Sequence, residues 1–230
     1  MLEKLFTPQP SFPPQLTFLH QVGLLMILAL GLLTSFYCYQ SRVFRSCLWL
    51  LQLVQVISLY MWYLLMDMPL SESLPFYHCR LAILVMLFSK QSSMKTYFAY
   101  LGLFGASVAL LHPIFDPYPF PHITSLSYVM GHLALAINCS NYLLLEKVES
   151  HLTFSQVIRW SLLMNALILL ACLVTGGNYG FMLKTPLINS HYLPLNVVLV
   201  TAVVIGAIVL LQALVTGFTI FLKAKEELEA

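Results

Sequence analysis

Apolar residues fill long, nearly unbroken stretches of this chain, and polar residues are confined to the short segments between them. A bilayer core needs roughly 20 apolar residues per spanning helix. Stretches of about that size run over Leu16–Tyr39, Cys47–Met66, Thr96–His112, Ile123–Leu145, Val157–Thr175 and Pro194–Leu222, with a shorter one at Leu74–Phe88. The pattern predicts an all-α, polytopic membrane bundle of about seven transmembrane helices in one integral membrane domain, residues 1–230. A re-entrant or tilted segment is the alternative for Leu74–Phe88.

Charge sets the expected orientation, because positive residues gather in cytoplasmic loops. With the N-terminus outside, the inner segments hold Arg42 and Arg45, Lys90 and Lys95, Lys147 and Arg159, and Lys223 and Lys225. The outer segments hold only Lys4 and Lys184, with Arg80 at a helix opening. The bias alternates at each of seven crossings, so the C-terminus is expected in the cytoplasm. The first apolar run follows a proline-rich stretch rather than a basic one, and reads as a retained helix, not a removable signal.

Composition excludes other classes. The chain is 60% apolar and 9% charged, against roughly 25% charged in soluble domains. That predicts a multi-pass cell-membrane protein with membrane lipids as partners. The net charge of +2 is spread over loops, and gives no footprint for nucleic acid. Five cysteines lie in apolar runs without CxxC spacing, so no disulfide framework is expected. No HxxH or HxxxH pair occurs on one predicted helix, and neither a metal site nor a cofactor is expected.

Polar and ionisable groups inside a membrane segment mark functional sites. His78, Cys79 and Arg80 stand together where the third apolar run opens, after Leu74-Pro75-Phe76-Tyr77. His20, His78, His112, His122 and His191 are expected at or near the outer face. His132 falls nine residues into the fifth run, beside Gly131, and shares a helical face with Ser125 and Tyr128. A thiol reacts as thiolate and needs a base. Neighbours on a helix diverge by about 100°, so His78 cannot serve Cys79, and His132 is the candidate base. Arg80 is a candidate anion clamp or interfacial anchor. Asn138 and Asn141 lie deeper and are expected to tie helices together. Gly102, Gly105 and Ala106 form a small face for close packing. The loop from His112 to His122 carries four prolines and is expected to be stiff. The glycine-containing segment from Thr175 to Pro186 is a candidate lid.

The stretch Leu74–Arg80, the run from Tyr100 to Pro113, Phe120-Pro121-His122-Ile123, Gly131-His132, and Asn178-Tyr179 with Lys184-Thr185-Pro186 carry a family resemblance. In that order they resemble the YwaF-like integral membrane proteins of Gram-positive bacteria. That family in turn resembles the animal transmembrane protein 164 group of cysteine-dependent phospholipid acyltransferases. The resemblance implies a Cys and a His as the working pair, which fall on Cys79 and His132, with His78 the alternative working group. The expected activity is acyl transfer or transacylation on a phospholipid or lysophospholipid in the outer half of the bilayer. Arg80 and Lys184 are expected at the lipid phosphate and His112 and His122 as oxyanion donors. Tyr128 and Asn178 are expected to line the substrate site. The competing expectation is a lipid or small-solute transporter or binding protein without covalent chemistry.

Overall fold

A computed structural model describes residues 2–146, 151–185, 188 and 190–229, with side chains from Lys4 to Gly217 within those ranges. Lys147, Pro186 and the side chains of Lys223 and Lys225 lie outside the described residues. The elements are helical: α1 (Leu2–Phe6), α2 (Phe18–Cys38), α3 (Arg42–Leu65), α4 (Leu70–Ser73), α5 (His78–Phe88), α6 (Ser93–Leu111), α7 (Ile123–Glu146), α8 (Phe154–Thr175) and α9 (Leu193–Glu229), with a 3-10 turn at Tyr179–Phe181. Six of them are long and apolar enough to cross a membrane, and α5 is a shorter apolar helix.

Local chemistry explains the boundaries. Ser41, Ser92 and Thr153 each accept a backbone N–H from the first turn of α3, α6 and α8, and Thr153 with Gln156 forms a full capping box. Gly176 ends α8 in the left-handed region at φ 73°. Pro75 disfavours helix upstream of α5, leaving 11 helical residues. At 1.5 Å per residue α5 is roughly 16 Å long, about half a bilayer core.

Contacts between elements fix the direction of each crossing. Gln21 at the start of α2 donates to the Leu110 and Leu111 carbonyls at the end of α6. Trp49 near the start of α3 donates to the Leu87 carbonyl at the end of α5, and Gln91 bonds Glu146. The Leu152 N–H and carbonyl, before α8, donate to and accept from the side-chain amide of Gln212 on α9. The N-terminal segment lies against the far end, where the Phe6 carbonyl accepts from Trp62 and Ser11 donates to the Pro117 carbonyl. Among the described residues, six helices are long enough to cross the bundle and α5 passes through part of it.

α6 and α7 form the centre. α7 packs on α2, α3, α5 and α6, and half of the best spanning window of α6 is buried, against 11% for α2 and 17% for α9. Lipid gives no hydrophobic drive between helices, so close approach and polar links must hold the bundle. Gly102 provides the approach: a Cβ there would stand 2.7 Å from Cys139 Sγ, 3.1 Å from Leu135 Cδ1 and 3.3 Å from Ala82 Cβ. The polar links are buried. Ser35 donates to Asn141 Oδ1 at 2.7 Å, and Asn138 donates to the Leu48 carbonyl at 3.3 Å. Gln52 donates to Gln55 at 2.8 Å, and Gln55 donates to Ser127. The room beside Gly131 is occupied by the Gln55 amide, 3.0 Å from where a Cβ would sit.

Candidate functional site

α5 begins inside the bundle, not at its face. The segment before it is extended at Leu74 and Tyr77. His78 Nε2 lies 3.0 Å from Oδ1 of Asn165, ten residues from the end of α8. That is roughly 15 Å of helix, so His78 sits near mid-depth rather than at the expected outer face. The segment after α8 folds back to the same depth. A Cβ at Gly180 would stand 2.6 Å from His78 Cε1 and 3.3 Å from Ile168 Cγ2. Tyr179 and Met182 are wholly buried, and the Tyr179 hydroxyl donates to the Leu70 carbonyl and accepts from Leu74 N–H. The expected lid is therefore a buried strap.

Three consecutive side chains fan out from the start of α5. His78 faces α8 and α9: Asn165 accepts through Oδ1 and donates through Nδ2 to Thr201 Oγ1 at 2.9 Å. An acceptor at Oδ1 assigns the proton to His78 Nε2. Cys79 faces α6, its Sγ 2.9 Å from where a Cβ of Gly105 would be. Arg80 turns to α3, donating to the Tyr63 hydroxyl at 2.6 Å and the Glu72 carbonyl at 3.3 Å. Its guanidinium carbon lies 5.2 Å and 4.9 Å from the Tyr63 and Tyr77 ring centroids. No carboxylate pairs with it among the described residues. Tyr60, edge-on to Tyr63, turns its buried hydroxyl towards the same guanidinium.

α7 presents the other half. His132 Nδ1 lies 2.7 Å from the Tyr128 carbonyl, and the two rings are 4.4 Å apart. A carbonyl only accepts, so Nδ1 carries the proton and Nε2 keeps its lone pair. Tyr128 is fixed by donating to the Ala109 carbonyl and accepting from Ile114 N–H. Tyr128, His132, Leu135 and Cys139 form one stripe at i, i+4, i+7 and i+11. Leu135 and Cys139 meet Gly102 of α6, which also meets Ala82 of α5. One turn towards the N-terminal end of the bundle, the Cys79 sulfur of α5 rests on Gly105 of α6, and His132 is the next residue along the α7 stripe. Cys79, His78, Arg80 and His132 are each only partly buried. Cys79 and His132 are not hydrogen-bonded to each other.

The remaining candidates are elsewhere. His112 is exposed beyond α6, seven residues and about 10 Å of helix past Gly105. His122 is wholly buried, stacked on Tyr118 at 4.3 Å and edge-on to Trp62 at 4.9 Å. Its Nδ1 accepts from Thr124 N–H at 3.3 Å and its Nε2 donates to the Thr7 carbonyl at 3.1 Å, which leaves no donor for an oxyanion. Burial holds this imidazole below its usual range, against the Thr7 carbonyl and the Asp116 carboxylate, which act the other way. Asn178 spends its side chain on its own loop, accepting from Leu183 and Lys184 N–H and donating to the Lys184 carbonyl. Lys184 is exposed. Among the described residues, no group of three His, Cys, Asp or Glu side chains is placed to hold a metal ion.

Sequence reasoning did not single out Gln52, Gln55, Asn165 or the Tyr60–Tyr63 pair. The signal was present: Gln52 and Gln55 are three apart, and Asn165 stands alone in an apolar helix, where a polar side chain demands a partner.

No curated protein and no solved structure matches the chain. The TMEM164 family model matches residues 11–216, which take in every spanning helix and the whole α5–α6–α7 junction. This multi-pass membrane chain belongs to the TMEM164 family.

Proposed function

We propose that the chain is a single-domain phospholipid acyltransferase or transacylase of the YwaF-like kind, oriented with its N-terminus outside. In this reading Cys79 is the nucleophile and His132 the general base. The observation that carries it is the tautomer of His132, whose unprotonated Nε2 belongs to the α7 stripe that meets Gly102 of α6, one turn from where the Cys79 sulfur rests on Gly105.

Cys79 Sγ–H passes its proton to His132 Nε2 as sulfur attacks the acyl carbonyl of a phospholipid. The tetrahedral intermediate collapses, the ester C–O bond breaks, and the lysophospholipid oxygen takes the proton from Nε2. The acyl group remains as a thioester. A lysophospholipid hydroxyl then gives its proton to Nε2, attacks the thioester and releases the thiolate, which recovers the proton. Arg80 holds the lipid phosphate with the guanidinium donors that Tyr63 and Glu72 leave free. A site opening to the outer leaflet has no access to cytosolic acyl-CoA, so the acyl donor is a lipid.

The test uses purified protein, a diacyl lipid labelled in its acyl chain, and lysophospholipid. Label moves to the acceptor with wild type and not with Cys79→Ala or His132→Ala. Undiminished transfer by Cys79→Ala, at normal expression, overturns the assignment. One observation favours a second reading: a half-length helix and a folded-back strap meet at mid-depth, as broken helices do at transporter sites. Vesicle uptake lost in His78→Ala, with no thioester trapped, supports transport instead.

A further inference from the structure

The end of the bundle opposite the N-terminal segment holds a cavity of about 460 Å³ between α3, α5, α6 and α7. Its cations are Arg42, Arg45 and Lys95, and its polar wall includes Gln52, Asn141 and Tyr142; among the described residues no carboxylate lines it. The nearest acidic side chain in sequence, Glu146, is bonded to Gln91. Lys and Arg at one end of a membrane protein ordinarily serve orientation alone, with their heads in water.

Two facts go beyond that role. First, Arg45 and Lys95 are hydrogen-bonded to backbone carbonyls. Arg45 donates to the Tyr39 carbonyl at 2.9 Å, and Lys95 donates to the Ser89 carbonyl at 2.8 Å with its ammonium 5.5 Å from the Tyr142 ring centroid. Most of their five and three N–H donors remain free. Second, two deeply buried amides in the wall are incompletely bonded. Gln52 is 1% exposed and its Oε1 has no partner; Asn141 is 2% exposed and its Nδ2 has none. Buried polar groups are normally satisfied, and an orphan points to a bound group. Water would satisfy the amides but would leave Arg42 and Arg45 without an anion, Glu146 acting on Lys95 alone among the three cations.

We propose that this cavity binds a phosphate ester that bears a free hydroxyl. The cations neutralise the phosphate, Asn141 Nδ2 donates to a phosphate oxygen, and Gln52 Oε1 accepts from the hydroxyl. The site is separate from the Cys79 chemistry and does not depend on it. A glycerol phosphate group meets the requirement, either as a lipid headgroup or free in solution.

The experiment measures the thermal unfolding midpoint of the detergent-purified full chain with dihexanoyl phosphatidylglycerol, with glycerol 3-phosphate, and with dihexanoyl phosphatidylcholine, which has no free hydroxyl and carries a cation. The midpoint rises by several degrees with phosphatidylglycerol, above any rise with phosphatidylcholine. The rise is lost in Arg42→Gln and Lys95→Gln, each compared with its own unliganded midpoint, and kept in Cys79→Ala. A rise with the lipid alone assigns a headgroup site; a rise with glycerol 3-phosphate assigns a site for the free ester as well. Native mass spectrometry of wild type, which needs no variant, retains phosphatidylglycerol in preference to phosphatidylcholine. No preference by either method, or a shift unchanged in both variants, overturns the proposal.

Discussion

Gly105 separates a packing effect from a chemical one. A Cβ at this position meets one atom, Cys79 Sγ, at 2.9 Å. Ordinary contact begins near 3.5–4.0 Å, so in Gly105→Ala the sulfur retreats by about 0.6–1.1 Å. Cysteine turns about a single side-chain bond, and Cys79 is only partly buried, so the sulfur can move without displacing a helix. An exposed helical Gly→Ala gains up to about 1 kcal/mol from propensity, which offsets the strain. The unfolding midpoint should therefore stay within a few degrees of wild type. Acyl transfer should fall by about 100-fold, the usual result of a 1 Å misplacement of a reacting atom. The assay is initial-rate label transfer from diacyl lipid to lysophospholipid, run beside the melting curve. A Gly105→Ala protein with a normal midpoint and full transfer would refute the reasoning, because the sulfur's place would not matter.

Gly102 predicts the opposite pattern: its Cβ would press on three side chains of two neighbouring helices, so Gly102→Ala should cost about 1–3 kcal/mol, and adding Cys139→Ala should restore part of it, read as a coupling term in a double-mutant melting cycle. Asn165→Ala strands the partly buried His78 Nε2–H and frees Thr201, so the midpoint should fall by an amount equivalent to about 1–3 kcal/mol, while label transfer by the folded fraction persists if Cys79 is the nucleophile and vanishes if His78 is. His122, depressed by burial, contributes stability that is complete above its unfolded value of about 6.5 and is lost as pH falls below it towards the folded value; hydrogen exchange of the Thr7–Ser11 segment should therefore quicken on acidification through that window in wild type and show no such step in His122→Gln.

The residues alone determined the solvent and the apolar segments, six of them long enough to cross and a seventh shorter. A bilayer admits only helices of sufficient apolar length, so counting apolar runs also counted segments, and the prolines and N-cap residues placed their ends. The divergence of His78 from Cys79 was equally legible, because helical geometry separates neighbours whatever surrounds them. The sequence also flagged Asn138 and Asn141 as helix ties, since an amide in lipid must find a partner. Tertiary packing decided the rest. That α5 starts at mid-depth follows from the strap at Tyr179–Phe181 and from Asn165, both about 90 or more residues away in sequence. His122 was expected as an oxyanion donor, but the chain brings Trp62, Tyr118 and the Thr7 carbonyl around it. Which helices share the Cys79 junction was invisible for the same reason: an apolar surface packs against lipid or another helix equally well, and only the register of Gly102 and Gly105 against α5 and α7 selects the partners.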